Sequence, residues 1–377
     1  MRILVIHNQL WAHYKSNLFA EIHSNLRENY PHAVFRVVQI GLYESSRKNM
    51  QAADPGIYDY PYTVLFHKSL DEISFGERVK ALFGAFSEFR PTVLNITGYY
   101  DWAQVLLMCY ARLLGVKVVL SSESSGSDQQ RSPLKEKLKS WIVNRANAYF
   151  CFGKTSVEYL LSLGVRPNRI TVDNAAVIDD KRVRERYELT PRKESPLPGN
   201  FIFVGRFAPE KNLKRLLTAY QQAIGQVPHP WGLILVGDGP ERKDLEEYIT
   251  VNELSGVTVT GGVSWLEVPE WLAQADVLIL PSYSEPWGLV VNEALVCGLP
   301  VVVSDKSGCA RDLVENGKNG YTFDPYDTSQ LTELLLNFMD STPEYRKALG
   351  LHGQKLVSRF AVQKVAREMV ETYAQLG

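Results

Sequence analysis

Two carboxylates stand eight residues apart in the run Ser284-Glu285-Pro286-Trp287-Gly288-Leu289-Val290-Val291-Asn292-Glu293-Ala294. The spacing places Glu285 in a loop after the apolar strand Val277–Leu280 and Glu293 about two turns into the next helix, on a similar face. Pro286 and Gly288 shape the turn, so the amides near Gly288 and Leu289 can point at a phosphate or hydroxyl oxygen. Carboxylates accept hydrogen bonds from hydroxyls, and paired vicinal hydroxyls would suit two such acids. A helix cap beside an exposed glutamate is the plainer reading. The second constellation is Phe203-Val204-Gly205-Arg206-Phe207-Ala208-Pro209-Glu210-Lys211-Asn212. A strand ends at Val204, Gly205 permits a tight turn, and Arg206 and Lys211 follow, five residues apart. Asn212 or a neighbour can cap a helix beginning near Leu213, and anions are favoured at such a terminus. A guanidinium holds two phosphate oxygens at once, and lysine adds a point charge. Two surface cations in a loop is the competing reading. Leu235-Val236-Gly237-Asp238-Gly239-Pro240 lacks the Gly-x-Gly-x-x-Gly spacing and reads as a structural turn.

The elements around these groups repeat one pattern. Short β-branched runs (Ile3–His7, Val34–Val38, Thr63–Phe66, Val93–Ile96, Lys117–Ser121 and Ala148–Phe152, then Phe201–Val204, Leu233–Val236, Val257–Thr260, Val277–Leu280 and Val301–Ser304) alternate with helical patterns such as Leu213–Ile224 and Asp327–Phe338. Strand–helix alternation implies parallel sheets covered on both faces, and Val301-Val302-Val303 has the continuous apolar character of a strand buried on both sides. A chain of 377 residues is long enough for two such α/β domains. The charged stretch Asp179–Arg186, followed by Pro191, Pro196 and Pro198, implies a linker over 179–199 that no long regular element crosses. The expected domains are 1–178, completed by a C-terminal helix 358–377, and 200–357. Ligands of doubly wound sheets bind beyond the carboxyl ends of their strands.

Net charge is −1, which offers no bulk attraction to nucleic acid. The four cysteines show no CxxC spacing, so neither a disulfide framework nor a zinc site is expected. No apolar run reaches the ~18 residues of a membrane span. The expectation is a cytoplasmic chain, with the inner face of the membrane as an alternative site of work.

In their order, these motifs resemble glycosyltransferase family 4, the retaining group 1 glycosyl transferases of GT-B fold. The resemblance runs from about Asn174 to the C-terminus. It includes Gly205-Arg206-Phe207 with Glu210-Lys211, Val236-Gly237-Asp238-Gly239-Pro240, Gly261-Gly262-Val263, Pro281-Ser282, Glu285 with Glu293, Gly298-Leu299-Pro300-Val301-Val302 and Gly317-Lys318-Asn319-Gly320-Tyr321. It implies two Rossmann-like doubly wound domains facing each other across a cleft, and a final helix that crosses back to the first domain. It implies a hexosyl donor linked to a nucleoside diphosphate, with UDP-sugars commonest, UDP-glucose the first expectation and GDP-mannose open. The implied donor site has Arg206 and Lys211 on the diphosphate, Glu285 on the transferred sugar, Glu293 on the ribose and the backbone of Val263 on the base. Gly205, Gly288 and Leu289 line it, and no metal or other cofactor takes part. A sugar-nucleotide epimerase and a catalytically silent binding subunit of the same fold are the alternatives. The family's glycine-rich loop after the first strand is absent from His7–Ser16, and Glu123 stands where members often carry histidine.

The acceptor is expected on the first domain, as a glycan, a lipid-linked sugar or a small molecule. Its candidate wall is the ring-rich set Trp11, His13, Tyr14, Tyr99, Tyr100 and Trp102, with Asp101 and Glu123 as polar partners. Arg131–Arg145 combines Lys135, Lys137 and Lys139 with Leu134, Leu138, Trp141 and Ile142 at helical spacing. That pattern fits an ordinary domain helix with a solvated basic face, or a helix lying on a membrane surface.

Overall fold

The computed structural model describes residues 1–45, 58–123, 133–194 and 197–377. Arg131 and Pro196, invoked above, lie outside these. The chain separates into two units, Met1–Asp179 with Phe360–Gly377, and Asp180–Arg359.

The first unit is built on a seven-stranded sheet ordered β3-β2-β1-β4-β5-β6-β7. Its strands are β1 (Arg2–Gln9), β2 (Val34–Gly41), β3 (Tyr62–Val64), β4 (Val93–Thr97), β5 (Lys117–Ser122), β6 (Ala148–Cys151) and β7 (Ile170–Val172). Every pairing is parallel. Helices Phe75–Phe89, Trp102–Leu113 and Pro133–Val143 share one face, because Leu82, Phe86, Leu107, Met108 and Ile142 join a single core with Leu4, Ile6, Leu94, Ile96 and Leu120. Helices His13–Asn29 and Val362–Leu376 pack together. The last helix buries Val365, Ala366, Met369 and Tyr373. The Tyr373 hydroxyl accepts a hydrogen bond from Asn95 Nδ2 at 2.7 Å, which anchors this helix to β4.

The second unit has six parallel strands in the order β10-β9-β8-β11-β12-β13. They are β8 (Asn200–Val204), β9 (Gly232–Val236), β10 (Val257–Gly261), β11 (Val277–Leu280), β12 (Val301–Ser304) and β13 (Gly320–Phe323). Val301, Val302 and Val303 are fully buried, and burying such a side chain stabilises by roughly 1.5–3 kcal/mol. The helix Leu213–Ile224 buries Leu213, Leu216, Leu217 and Tyr220 and packs against Thr328–Met339. Asp327 lies just outside the latter, as its cap, accepting from the Gln330 amide at 3.0 Å.

The structure corrects the sequence reading in two places. Two further strands exist, the short edge strands β7 and β13. The segment read as an irregular linker contains the helix Asp180–Leu189. That helix buries Val183, and Arg186 pairs with Glu270 at 2.7 Å, so charge that looked like solvated linker is neutralised within the second unit. Arg192, just beyond it, pairs with Asp276.

Candidate functional site

In the second sheet, β8 is followed in sequence by β9 on one side, while β11 lies on its other side. The carboxyl ends of β8 and β11 therefore flank the point where strand order reverses, the usual ligand position in such sheets. Both constellations singled out in the sequence lie there.

The loop after β8 is held from beneath by the turn after β9. Gly205 donates its amide to Val236 at 3.0 Å, and Phe207 donates to the Asp238 carbonyl at 2.8 Å. A Cβ on Gly237 would collide with the Gly205 carbonyl, and one on Gly239 with the Phe207 backbone. The Gly237–Gly239 turn is thus glycine-rich because the Arg206 loop rests on it. Phe207 is fully buried, whereas Arg206 is exposed and makes no ion pair among the described residues. Pro209–Lys211 forms a single 3₁₀ turn. Asn212 then adopts φ +60°, a left-handed conformation that asparagine tolerates better than most residues. Its side chain does not cap the following helix. Nδ2 instead donates to the carbonyls of Pro281 and Pro325, each at 3.0 Å. Asn212 therefore ties the β8 loop to the β11 loop, and Tyr283 adds a second tie by donating its amide to the Glu210 carbonyl at 2.8 Å.

These ties bring the cation and the acid together. Lys211 Nζ pairs directly with the Glu285 carboxylate, with both side chains largely withdrawn from solvent. Glu285 is fixed from the other side by the loop after β12. Gly308 donates to the Glu285 carbonyl at 2.8 Å, and Cys309 donates to the Trp287 carbonyl at 3.2 Å. A Cβ on Gly308 would strike the Pro286 carbonyl. Trp287 is buried, and its indole N–H reaches Asn292 Oδ1 at 2.9 Å. Gly288, at φ +97°, starts the helix Leu289–Val296. Glu293 is its fifth residue, so it lies little more than one turn in rather than two; the Pro286–Gly288 segment remains outside the helix.

Glu293 keeps some contact with solvent, yet burial pushes its carboxyl up to about 8 from the ordinary 4.5. It has no cation partner among the described residues. A desolvated, unpaired carboxyl is costly to ionise, so hydrogen-bond donors supplied by a ligand would find it poised. Between those two pH values the folded chain holds a proton that the unfolded chain has lost, so stability falls as pH rises through the window. Glu293→Gln cannot lose that proton and should flatten the fall. Melting temperature followed from about pH 5 to about pH 9 should drop several degrees more in the parent than in the variant. Parallel curves would show that Glu293 does not titrate this way.

Val263 is half-buried just beyond β10, at the carboxyl edge of the same sheet. Asn212 was read from the sequence only as a helix cap, and Gly308 was not singled out. An asparagine before a helix reads as a cap, and Gly308 lies in no recognised motif. Among the described residues no group of three or more His, Cys, Asp or Glu side chains could hold a metal ion.

The first sheet reverses its order between β1 and β4. Trp11 stacks on Tyr43 with centroids 4.5 Å apart, and Tyr14 is half-buried beside it in sequence. Tyr100 is half exposed and stacks on Tyr99 at 4.8 Å. Tyr99 itself is buried, so it supports the wall rather than facing it. Asp101 is committed elsewhere: Oδ1 caps the helix Trp102–Leu113 through the Ala103 amide at 2.9 Å, and Oδ2 pairs with Arg78 at 3.3 Å. Glu123 pairs at 2.8 Å with Lys15, which lies over the Phe152 ring at 4.5 Å and is buried. Next to Lys15, His7 donates from Nδ1 to Gln39 Oε1 at 2.8 Å. Burial, then the Lys15 charge, push it down to about 4, so it is neutral at ordinary pH.

Residues 191–356 match the family model described as glycosyl transferases group 1. An uncharacterized glycosyltransferase of Methanocaldococcus jannaschii is 29% identical over 176 residues, 47% of this chain and 48% of that protein. The alpha-D-kanosaminyltransferase of Streptomyces kanamyceticus is 27% identical over 197 residues, 52% of this chain and 49% of that one. The chain thus spans about half the length of these curated relatives. The solved structure of HepE from Anabaena in complex with UDP superposes with a TM-score of 0.74 over 100% of both chains at 21% identity, which identifies the fold as GT-B. The segment that matches the glycosyl transferases group 1 model, residues 191–356, carries Arg206, Lys211, Glu285 and Glu293, and the chain has the GT-B fold.

Proposed function

We propose that this chain is a retaining glycosyltransferase that moves a hexosyl group from a nucleoside-diphosphate sugar to an acceptor hydroxyl. The observation that carries the reading is the Lys211–Glu285 pair beside the unpaired Arg206, at the strand-order reversal within the segment that matches the glycosyl transferases group 1 model. In this reading Arg206 takes the donor diphosphate bidentately and Lys211 adds a second positive charge. Glu285 accepts hydrogen bonds from the transferred sugar, Glu293 from the ribose diol, and the backbone of Val263 meets the base. Gly205, Gly288 and Leu289 keep the backbone close to the phosphates.

As the glycosidic bond breaks, negative charge builds on the departing diphosphate. Lys211, held by the β8 loop and its carboxylate partner, and the amides at the start of the Leu289–Val296 helix are preorganised for that charge, and the exposed Arg206 closes on it, which lowers the barrier without a metal ion. The acceptor hydroxyl attacks on the face the diphosphate leaves, so anomeric configuration is retained. UDP is the favoured nucleotide and glucose the favoured sugar. HepE, whose fold is similar, has been solved with UDP and with UDP-glucose. The acceptor is a glycan, a lipid-linked sugar or a small molecule, met by Trp11, Tyr14 and Tyr100 of the first unit, with Glu123 as a polar partner.

Incubating the purified chain with a panel of nucleotide sugars, with and without EDTA, tests the reading. Release of nucleoside diphosphate from one donor, undiminished by EDTA, is expected. Epimerised donor would favour the epimerase, absence of any turnover the silent subunit, and loss on EDTA would remove the metal-free account. Once an acceptor is found, Trp11→Ala and Tyr100→Ala should raise its KM by about tenfold, the loss of one stacked ring, and spare donor binding. Unchanged acceptor kinetics would remove the aromatic wall.

A further inference from the structure

The helix Trp102–Leu113 buries one side in the first unit's core and leaves an apolar stripe outside. Trp102, Leu106, Tyr110 and Leu113 recur at helical spacing and are all exposed, Leu113 at 86%. On the same face of the sheet, the helix Pro133–Val143 turns Leu138 and Trp141 outward, Trp141 at 51% exposure. Just before the first of these helices, the Tyr100 ring lies 5.9 Å from Lys139 Nζ on the second. So many exposed large apolar side chains on one face mark a contact surface rather than scattered surface residues.

The charge around this stripe says what covers it. From Phe75 to Arg169, the segment carrying these helices, there are 13 Lys and Arg against 7 Asp and Glu, in a chain whose net charge is −1. Lys80, Lys135 and Lys137 are exposed and make no ion pair among the described residues. Acids nearby are already engaged: Glu136 by Lys139 at 3.0 Å, Asp101 by Arg78 at 3.3 Å and Glu88 by Arg36 at 3.1 Å. Arg145 lies over the Trp141 ring at 3.4 Å, setting a cation against an indole that faces solvent.

We propose that the face formed by helices Trp102–Leu113 and Pro133–Val143 docks the chain on an anionic lipid surface. Leu106, Leu113, Leu138 and Trp141 enter the headgroup boundary, and the unpaired lysines meet the lipid phosphates. Apolar insertion flanked by basic residues is how interfacial helices bind, and tryptophan prefers that depth. Among the described residues no helix is long and apolar enough to cross a membrane, so this contact is peripheral. The inference does not depend on the donor or the reaction.

The test is flotation of the purified chain with vesicles of phosphatidylcholine alone, or of equal parts phosphatidylcholine and phosphatidylglycerol. Binding to the anionic vesicles only, weakened by salt, is expected. Lys135→Glu/Lys137→Glu and Leu106→Glu/Leu113→Glu should each lower the bound-to-free ratio by roughly tenfold or more, given about one kilocalorie per basic residue at such a surface. All four side chains are exposed, so unfolding temperature should not change; if one pair does alter it, the other pair decides. No binding to anionic vesicles, or variants that float as well as the parent, overturns the proposal. So does a concentration-dependent dimer that the leucine variants abolish without affecting flotation, which would assign the face to a second copy of the chain.

Discussion

Replacing Lys211 by alanine is expected to lower turnover by roughly 100-fold, the scale of losing one main electrostatic contact in a transition state. Asn212 bridges to Pro281 and Pro325, and Tyr283 bonds to Glu210, so the ammonium group is held beside the strand-order reversal by the backbone on both sides. A fixed charge stabilises a developing anion without reorganising, and this preorganisation is what alanine removes. Alanine also leaves the Glu285 carboxylate, largely withdrawn from solvent, without its cation. Losing one member of such a pair costs stability as well, so the variant's unfolding temperature should be lower. Steady-state kinetics on folded protein, with UDP affinity measured in parallel, check the claim. A variant that binds UDP and turns over like the parent excludes Lys211 from the diphosphate site.

Glu285→Ala is expected to lower turnover by a similar factor, for a different reason. In the proposed mechanism the carboxylate touches the transferred sugar rather than the nucleotide. The variant should therefore still bind UDP, and with Lys211 released from its partner it should do so at least as tightly. Affinity for the intact sugar nucleotide should fall relative to UDP. The two substitutions thus separate: Lys211→Ala weakens UDP itself, whereas Glu285→Ala spares UDP and penalises the sugar. Calorimetric titration of both variants with UDP and with the sugar nucleotide gives the contrast. If both lose UDP equally, the pair acts only as a structural tie across the β8 and β11 loops.

The sheets were readable from sequence because parallel strands buried on both faces carry unbroken β-branched runs. Val277–Leu280 and Val301–Ser304 fall where that pattern puts them. The strands β7 and β13 were not found: they are edge strands of only three and four residues, too short to show a pattern although Ile170-Thr171-Val172 and Tyr321-Thr322-Phe323 are β-favouring. Helix Asp180–Leu189 was hidden because its single buried apolar residue, Val183, gives no periodicity, and because the acid neutralising Arg186 lies 84 residues away. Long-range pairing also explains the rest. Lys211 and Glu285 were each singled out, but their contact spans 74 residues and no local rule announces it. Asp101 was read as open because Arg78 and the helix it caps come to it only in the folded chain. The same holds for Lys15, whose pairing with Glu123 depends on β1 and β5 lying in one sheet.

The central claim is that Arg206 and Lys211 hold a nucleoside diphosphate in the second unit. Isothermal titration of UDP into the parent chain, Arg206→Ala and the surface control Lys214→Ala tests it most directly. Lys214 is the second residue of the next helix and pairs with Asp244 at 3.0 Å, so it shares the charge but not the site. The account predicts binding in the parent and the control, and a roughly tenfold or greater loss in Arg206→Ala, as expected for one guanidinium–phosphate contact. Equal affinity in all three proteins, or no UDP binding by the parent while another nucleotide binds independently of Arg206, would contradict it.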